Sequence, residues 1–87
     1  MESYKLLIKK SAAAELAGGI PKRDLGKIIQ RIQGLADDPR PGGSRKLSSR
    51  NVYRIRQGDY RVVYRVDDAA RTVEVVKIGH RSEIYRD

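Results

Sequence analysis

The stretch VYRIRQGDYRVVYRV, from Val52 to Val66, alternates in character on both sides of a Gly-Asp pair. Alternation with a period of two is the signature of a half-buried strand. A Gly-Asp pair between two such runs is a two-residue hairpin turn. Placing Gly58 and Asp59 at the turn fixes every cross-strand pair: Gln57 with Tyr60, Arg56 with Arg61, Ile55 with Val62, Arg54 with Val63, and Tyr53 with Tyr64. One face then reads Tyr53, Ile55, Val62, Tyr64 and Val66. The other reads Arg54, Arg56, Arg61, Val63 and Arg65. A slip of one residue would exchange the two faces of a strand, so the pattern holds one register.

The rest of the chain is read around this hairpin. Tyr4, Leu6 and Ile8 share one face of a short strand. Ser11 suits an N-cap, with a short helix over Ala12 to Ala17 that ends at Gly18-Gly19. Pro21 suits the first turn of a second helix. Leu25, Ile28, Ile29, Ile32, Leu35 and Ala36 follow the helical template and carry that helix to about Asp37. Residues 37–44, DDPRPGGS, form a loop. After the hairpin, Asp67–Arg71 is a second turn and Thr72–Ile78 a third strand, which Gly79 stops. The predicted fold is α+β: a strand, two helices, then a three-stranded antiparallel meander, with both helices on one sheet face. Residues 1–87 form a single domain. A chain of this size buries roughly 60% of its unfolded surface.

Composition narrows the function. The chain has no cysteine, so disulfides, thiolate metal sites and thiol nucleophiles are excluded, which fits a reducing cytoplasm. No apolar run approaches the roughly 20 residues of a membrane span, and the opening residues do not read as a secretion signal. Carboxylates are scattered, and Asp67-Asp68 reads as turn chemistry, so no two-metal nuclease site is expected. Neither a metal nor another cofactor is expected. The formal charge is +8, and residues 44–65 hold seven basic side chains against Asp59 alone. Clustered positive charge points to an acidic partner, nucleic acid first and an acidic protein second.

The predicted register sets Arg56 opposite Arg61. Like charges at opposed positions destabilise a sheet by something up to ~1 kcal/mol. These arginines are either solvated strand residues of a basic protein or a preorganised anion site, a role that suits guanidinium because it forks onto phosphate and stays charged. The end of the last strand favours the second reading. His80, Arg81 and Tyr85 follow Gly79 closely and can reach the same face as Arg54, Arg56 and Arg61. The set would supply cations for a phosphate, planes for a base and titratable groups for proton transfer.

"YRIRQGDYRVVYRV" followed by "VVKIGHRSEIYR" resembles the RelE/ParE superfamily of toxin–antitoxin toxins, on its RelE side, and the resemblance covers nearly the whole chain. It implies a RelE-like fold and a ribosome-dependent endoribonuclease that cuts mRNA in the A site. The message's 2′-hydroxyl attacks the adjacent phosphate and leaves a 2′,3′-cyclic phosphate, without a metal. By motif, the family's functional positions fall on Arg54 and Arg56, on Arg61, and on Arg81 and Tyr85. Well-known members carry lysines where this chain has Arg54 and Arg56. An arginine, with a pKa above ~12, does not serve as the base there.

On this reading Tyr85 is the preferred base, its pKa lowered from ~10 by the cationic pocket. Arg61 and Arg56 hold the nonbridging oxygens, Arg81 or His80 assists the leaving oxygen, and Arg54 positions the backbone. Arg45, Lys46, Arg50 and Arg65 are expected to bind RNA through sequence-independent phosphate attraction. The implied partners are a cognate antitoxin, the ribosome with its mRNA and rRNA, and operator DNA once the antitoxin is bound. Two alternatives stay open: a ParE-like inhibitor of DNA gyrase, and a basic nucleic-acid-binding module without catalysis.

Overall fold

The computed structural model describes residues 3–48 and 50–80. Its elements are β1 (Lys5–Ile8), α1 (Lys10–Gly18), α2 (Lys22–Gly34), β2 (Arg45–Ser48), β3 (Val52–Gln57), β4 (Tyr60–Asp67) and β5 (Thr72–His80). The strands form one sheet in the order β1-β5-β4-β3-β2. The expected antiparallel meander is its centre. The sheet is nevertheless five-stranded and mixed, because β1 lies parallel to β5 along one edge. No helix among the described residues is long and apolar enough to cross a membrane.

The hairpin register is the one the alternation dictates, pair for pair, from Tyr53 with Tyr64 to Gln57 with Tyr60. Gly58 makes the turn possible. Its φ is +60°, which the first central position of a type II′ turn requires and which glycine adopts without strain.

Both helices pack on the apolar face. Ala12 of α1, and Ile28, Ile32 and Leu35 from α2 and its C-cap, join Tyr53, Ile55, Val62, Tyr64, Val66, Val73, Val75 and Ile78 in one core. Burying each large aliphatic side chain contributes roughly 1.5–3 kcal/mol.

Several local expectations need correction. Lys9, not Ser11, occupies the N-cap of α1; Ser11 lies in the first turn, where its hydroxyl donates to the Val76 carbonyl at 3.5 Å. Helix α2 stops at Gly34 rather than near Asp37. Strand β2 was not expected; it pairs Arg45 with Arg54 and Lys46 with Tyr53. Gly79 does not stop β5, which continues through His80. Strand β5 also carries a bulge: Val63 pairs with Lys77 and Tyr64 with Val75, so Val76 is the extra residue.

The loop after α2 is fastened to the sheet by a polar network. Arg40 donates to both carboxylate oxygens of Asp68, at 3.1 and 2.8 Å, and to the Tyr53 hydroxyl at 2.8 Å. Tyr4 donates to Asp68 at 2.7 Å. The buried Tyr64 hydroxyl donates to the Pro39 carbonyl at 2.6 Å, and burial pushes the Tyr64 phenol up to about 12. The Arg40 fork, and then the Tyr4 hydroxyl, hold the Asp68 carboxyl at about 2. A carboxyl depressed in the folded state stabilises above its unfolded value of 3.8, and that contribution disappears as the pH falls through about 2. Asp68→Asn should therefore lower Tm at pH 6, with the gap to wild type closing between pH 4 and pH 2. A gap that stays constant with pH in thermal melts would contradict this role. Because the pair is exposed, added salt should also narrow the gap.

Candidate active site

Opposed residues of an antiparallel pair share a face, with Cβ atoms about 4.5–5.5 Å apart. The face away from the helices can therefore be read in rows. Arg45, Arg54, Val63 and Lys77 stand side by side across β2, β3, β4 and β5. The next row toward the hairpin tip is Arg56, Arg61 and Gly79. Gly79 contributes no side chain to this row. In the row on the other side, Val52, Arg65 and Glu74 align, and Arg65 approaches the Glu74 carboxylate at 4.0 Å.

The expected residues fall into distinct places. Arg56 and Arg61 oppose each other at the open end of the hairpin, Arg56 exposed and Arg61 half-buried. Arg54 lies on the same face but is only 4% exposed, so its charge acts from within the sheet rather than at the surface. That corrects the picture of a uniformly open arginine face. Arg45 and Arg65 are exposed on the arginine face. Lys46 pairs with Tyr53 and so lies on the helix side, and Arg50 sits in the β2–β3 turn. Arg81 and Tyr85 lie outside the described residues.

His80 is placed differently from expectation. Because β5 continues past Gly79, His80 alternates onto the helix side, opposite Tyr60. The two rings meet at 5.6 Å between centroids and 86° between planes. His80 therefore does not join the arginines' face. Lys77 was missed and does join it, opposite Val63, because the bulge at Val76 shifts the alternation of β5. The signal was present in the apolar spacing, which changes from two residues (Val73, Val75) to three (Val75, Ile78).

A cleft opens at the hairpin tip, lined by Arg56, Gly58, Asp59, Tyr60 and Arg61. Arg56 and Arg61 stand on the arginine face beside it, whereas the register turns the Tyr60 side chain to the helix side, where it packs against the core. The two guanidinium groups can bind a phosphodiester through two forks. Helix α2 braces this end: the Arg31 guanidinium donates to the Arg56 carbonyl at 3.5 Å.

Comparison with known proteins agrees with this architecture. The profile of the family described as ParE toxin of type II toxin-antitoxin system, parDE, matches residues 6–85. Toxin RelE of Mycobacterium tuberculosis is 33% identical over 85 residues, covering 95% of this chain and 87% of that protein. Toxin RelG of the same organism is 33% identical over 69 residues, covering 77% and 79%. Among solved structures, the toxin–antitoxin complex RelBE2 from M. tuberculosis superposes with a TM-score of 0.76 at 26% identity, covering 91% of this chain and 99% of that one. The intact Escherichia coli RelBE complex shares the fold, with a TM-score of 0.79 at 21% identity, covering 97% and 100%.

Proposed function

Because the chain belongs to the RelE/ParE family of type II toxin–antitoxin toxins, on its RelE-like side, we propose that it is a ribosome-dependent endoribonuclease that cleaves mRNA in the A site. The observation that carries the reading is the opposed Arg56–Arg61 pair at the open end of the hairpin. A sheet that sets two cations against each other loses stability. A phosphodiester between them would offset that loss and receive two forked contacts.

The reaction is attack of the 2′-oxygen on the adjacent phosphorus. The 5′-oxygen bond breaks, and the products are a 2′,3′-cyclic phosphate and a 5′-hydroxyl. Arg56 and Arg61 hold the nonbridging oxygens as charge develops on them. Arg54 supports this field from its buried position. Tyr85 removes the 2′-hydroxyl proton, and Arg81 stabilises the negative charge on the leaving 5′-oxygen, which takes its proton from water. His80, turned toward Tyr60, is left out of proton transfer. Arg45, Arg65 and Lys77 extend the basic face over neighbouring phosphates, while Lys46 and Arg50 bind rRNA beyond it. The protein works in the cytoplasm and is held inactive by an antitoxin. Several solved relatives are complexes with RelB proteins, which supports that partner, and the pair would bind operator DNA.

Tyr85→Phe tests the assignment of the base. It should lower the single-turnover cleavage rate on programmed ribosomes by about 10²-fold or more, within the range for general acid–base catalysis, while ribosome affinity stays near wild type. Cleavage at the full rate would remove Tyr85 from the role.

The match to the ParE profile supports a second reading, inhibition of DNA gyrase. It predicts loss of supercoiling with purified gyrase and no cut in mRNA.

A further inference from the structure

The opposed arginine pair stands on a strand end that lacks a neighbouring strand on one side. In a hairpin with a two-residue turn, the residues flanking the turn exchange backbone hydrogen bonds and the next pair does not. The side chains of that next pair come closer, and its backbone groups point outward. Gln57 and Tyr60 flank the turn, and Arg56 and Arg61 are the next pair. Arg61 has β5 on its outer side, through Gly79. Among the described residues no strand covers the outer side of Arg56, because β2 begins at Arg45, which pairs with Arg54. There Arg31 supplies the donor that a strand would supply: its guanidinium reaches the Arg56 carbonyl at 3.5 Å. The bond is long, so it restrains the strand end rather than locking it. Helix α2 meets the hairpin again at its first turn, where a carboxylate oxygen of Asp24 lies 3.9 Å from the place a Cβ on Gly58 would take. Asp24 and Arg31 share one helix face, so α2 lies along this arm from the turn to Arg56.

Packing alone does not explain an arginine at this place. Arg31 is half-buried, its Nε is buried without a hydrogen-bond acceptor, and no carboxylate among the described residues pairs with it. A buried donor left unmet costs stability. We infer that Arg31 is a positioning residue of the phosphodiester site: it holds the Arg56 carbonyl at the uncovered edge of β3 and so keeps the Arg56 guanidinium opposite Arg61, where both forks can meet one phosphate. Opposed cations repel, and the strand end with no outer neighbour is the one that yields. Arg31 acts against that displacement from the helix side, while the guanidinium groups it serves stand on the other face. The inference rests on the reading of the Arg56–Arg61 pair as a phosphodiester site.

The test is a double-mutant cycle on the whole chain and needs no ribosome. The probe is the dinucleotide d(CpC), which carries one phosphodiester and no 2′-hydroxyl, and its binding is followed through the amide resonances around Arg56 and Arg61. Arg31→Ala and Arg56→Ala should each weaken d(CpC) binding by at least about 3-fold, as for the loss of one exposed charged contact. The double variant should bind no more weakly than Arg56→Ala alone, because Arg31 acts through Arg56. Arg31→Lys should recover binding, since an ammonium also donates to a carbonyl. Wild-type affinity in Arg31→Ala would overturn the inference. Additive losses would overturn it as well, and would make Arg31 a direct phosphate contact. If Arg31→Ala unfolds, Arg31→Met keeps the apolar stem without the donor and carries the same cycle. Wild-type Arg56 and Arg61 resonances that ignore d(CpC) would overturn the phosphodiester site and the inference with it. The expected cycle without mRNA cleavage on the ribosome would support the inference and count against the nuclease reading alone.

Discussion

Arg61→Ala is expected to lower mRNA cleavage on the ribosome by about 10²-fold or more, the loss that follows removal of one preorganised donor to developing charge. Thermal stability should change little. Arg61 stands opposite Arg56, and removing one of two opposed cations relieves a repulsion of up to ~1 kcal/mol. The two readouts therefore separate: activity collapses while Tm stays within a few degrees of wild type. Arg61→Lys should recover part of the rate, because it restores charge without the fork. If Arg61→Ala melts far below wild type, the arginine pair is part of the scaffold. If it cleaves at the wild-type rate, the phosphate is held elsewhere.

Ile55→Ala should produce the largest loss of stability among single changes near the site. Ile55 is fully buried in β3, between Arg54 and Arg56 in sequence and beneath the helices in space. Removing an isoleucine from a packed core costs about 2–5 kcal/mol, and a small domain holds only about 5–15 kcal/mol in total. For a chain of this length each kcal/mol shifts Tm by about 4–8 °C, so a fall of at least ~10 °C is expected. The strand that presents Arg54 and Arg56 on one face is held by Ile55 on the other. Activity at 37 °C should therefore fall through unfolding and recover on cooling. A Tm within about 2 °C of wild type, against the shift expected of a buried isoleucine, would show that the site collapses around the lost volume.

The hairpin was legible in the sequence because two constraints coincide there. The period-two pattern from Val52 to Val66 separates the faces, and Gly58-Asp59 fixes the turn, so no other register keeps the apolar set together. The amphipathic spacing of Ile28, Ile32 and Leu35 was legible for the same reason. Strand β2 was not, because Arg45–Ser48 has no apolar alternation and exists through its pairing with β3. The placement of His80 was missed because glycine was read as a stop. A glycine in a strand also marks close approach or an open face, and β5 runs through Gly79. The Arg40–Asp68 network joins residues 28 positions apart, and no local pattern announces such a pair. Burial of Arg54 was missed for a related reason: the alternation places it beside exposed arginines, and only the assembled fold leaves it 4% exposed.

The central claim is that the opposed arginines act on mRNA in the ribosomal A site. Its most direct test is primer extension on mRNA in programmed ribosomes, with wild-type protein and with gyrase supercoiling measured in parallel. The account predicts a new cut inside the A-site codon that requires the ribosome, bears a 2′,3′-cyclic phosphate and leaves gyrase unaffected. Intact message together with inhibited supercoiling would contradict it and assign the arginine face to gyrase.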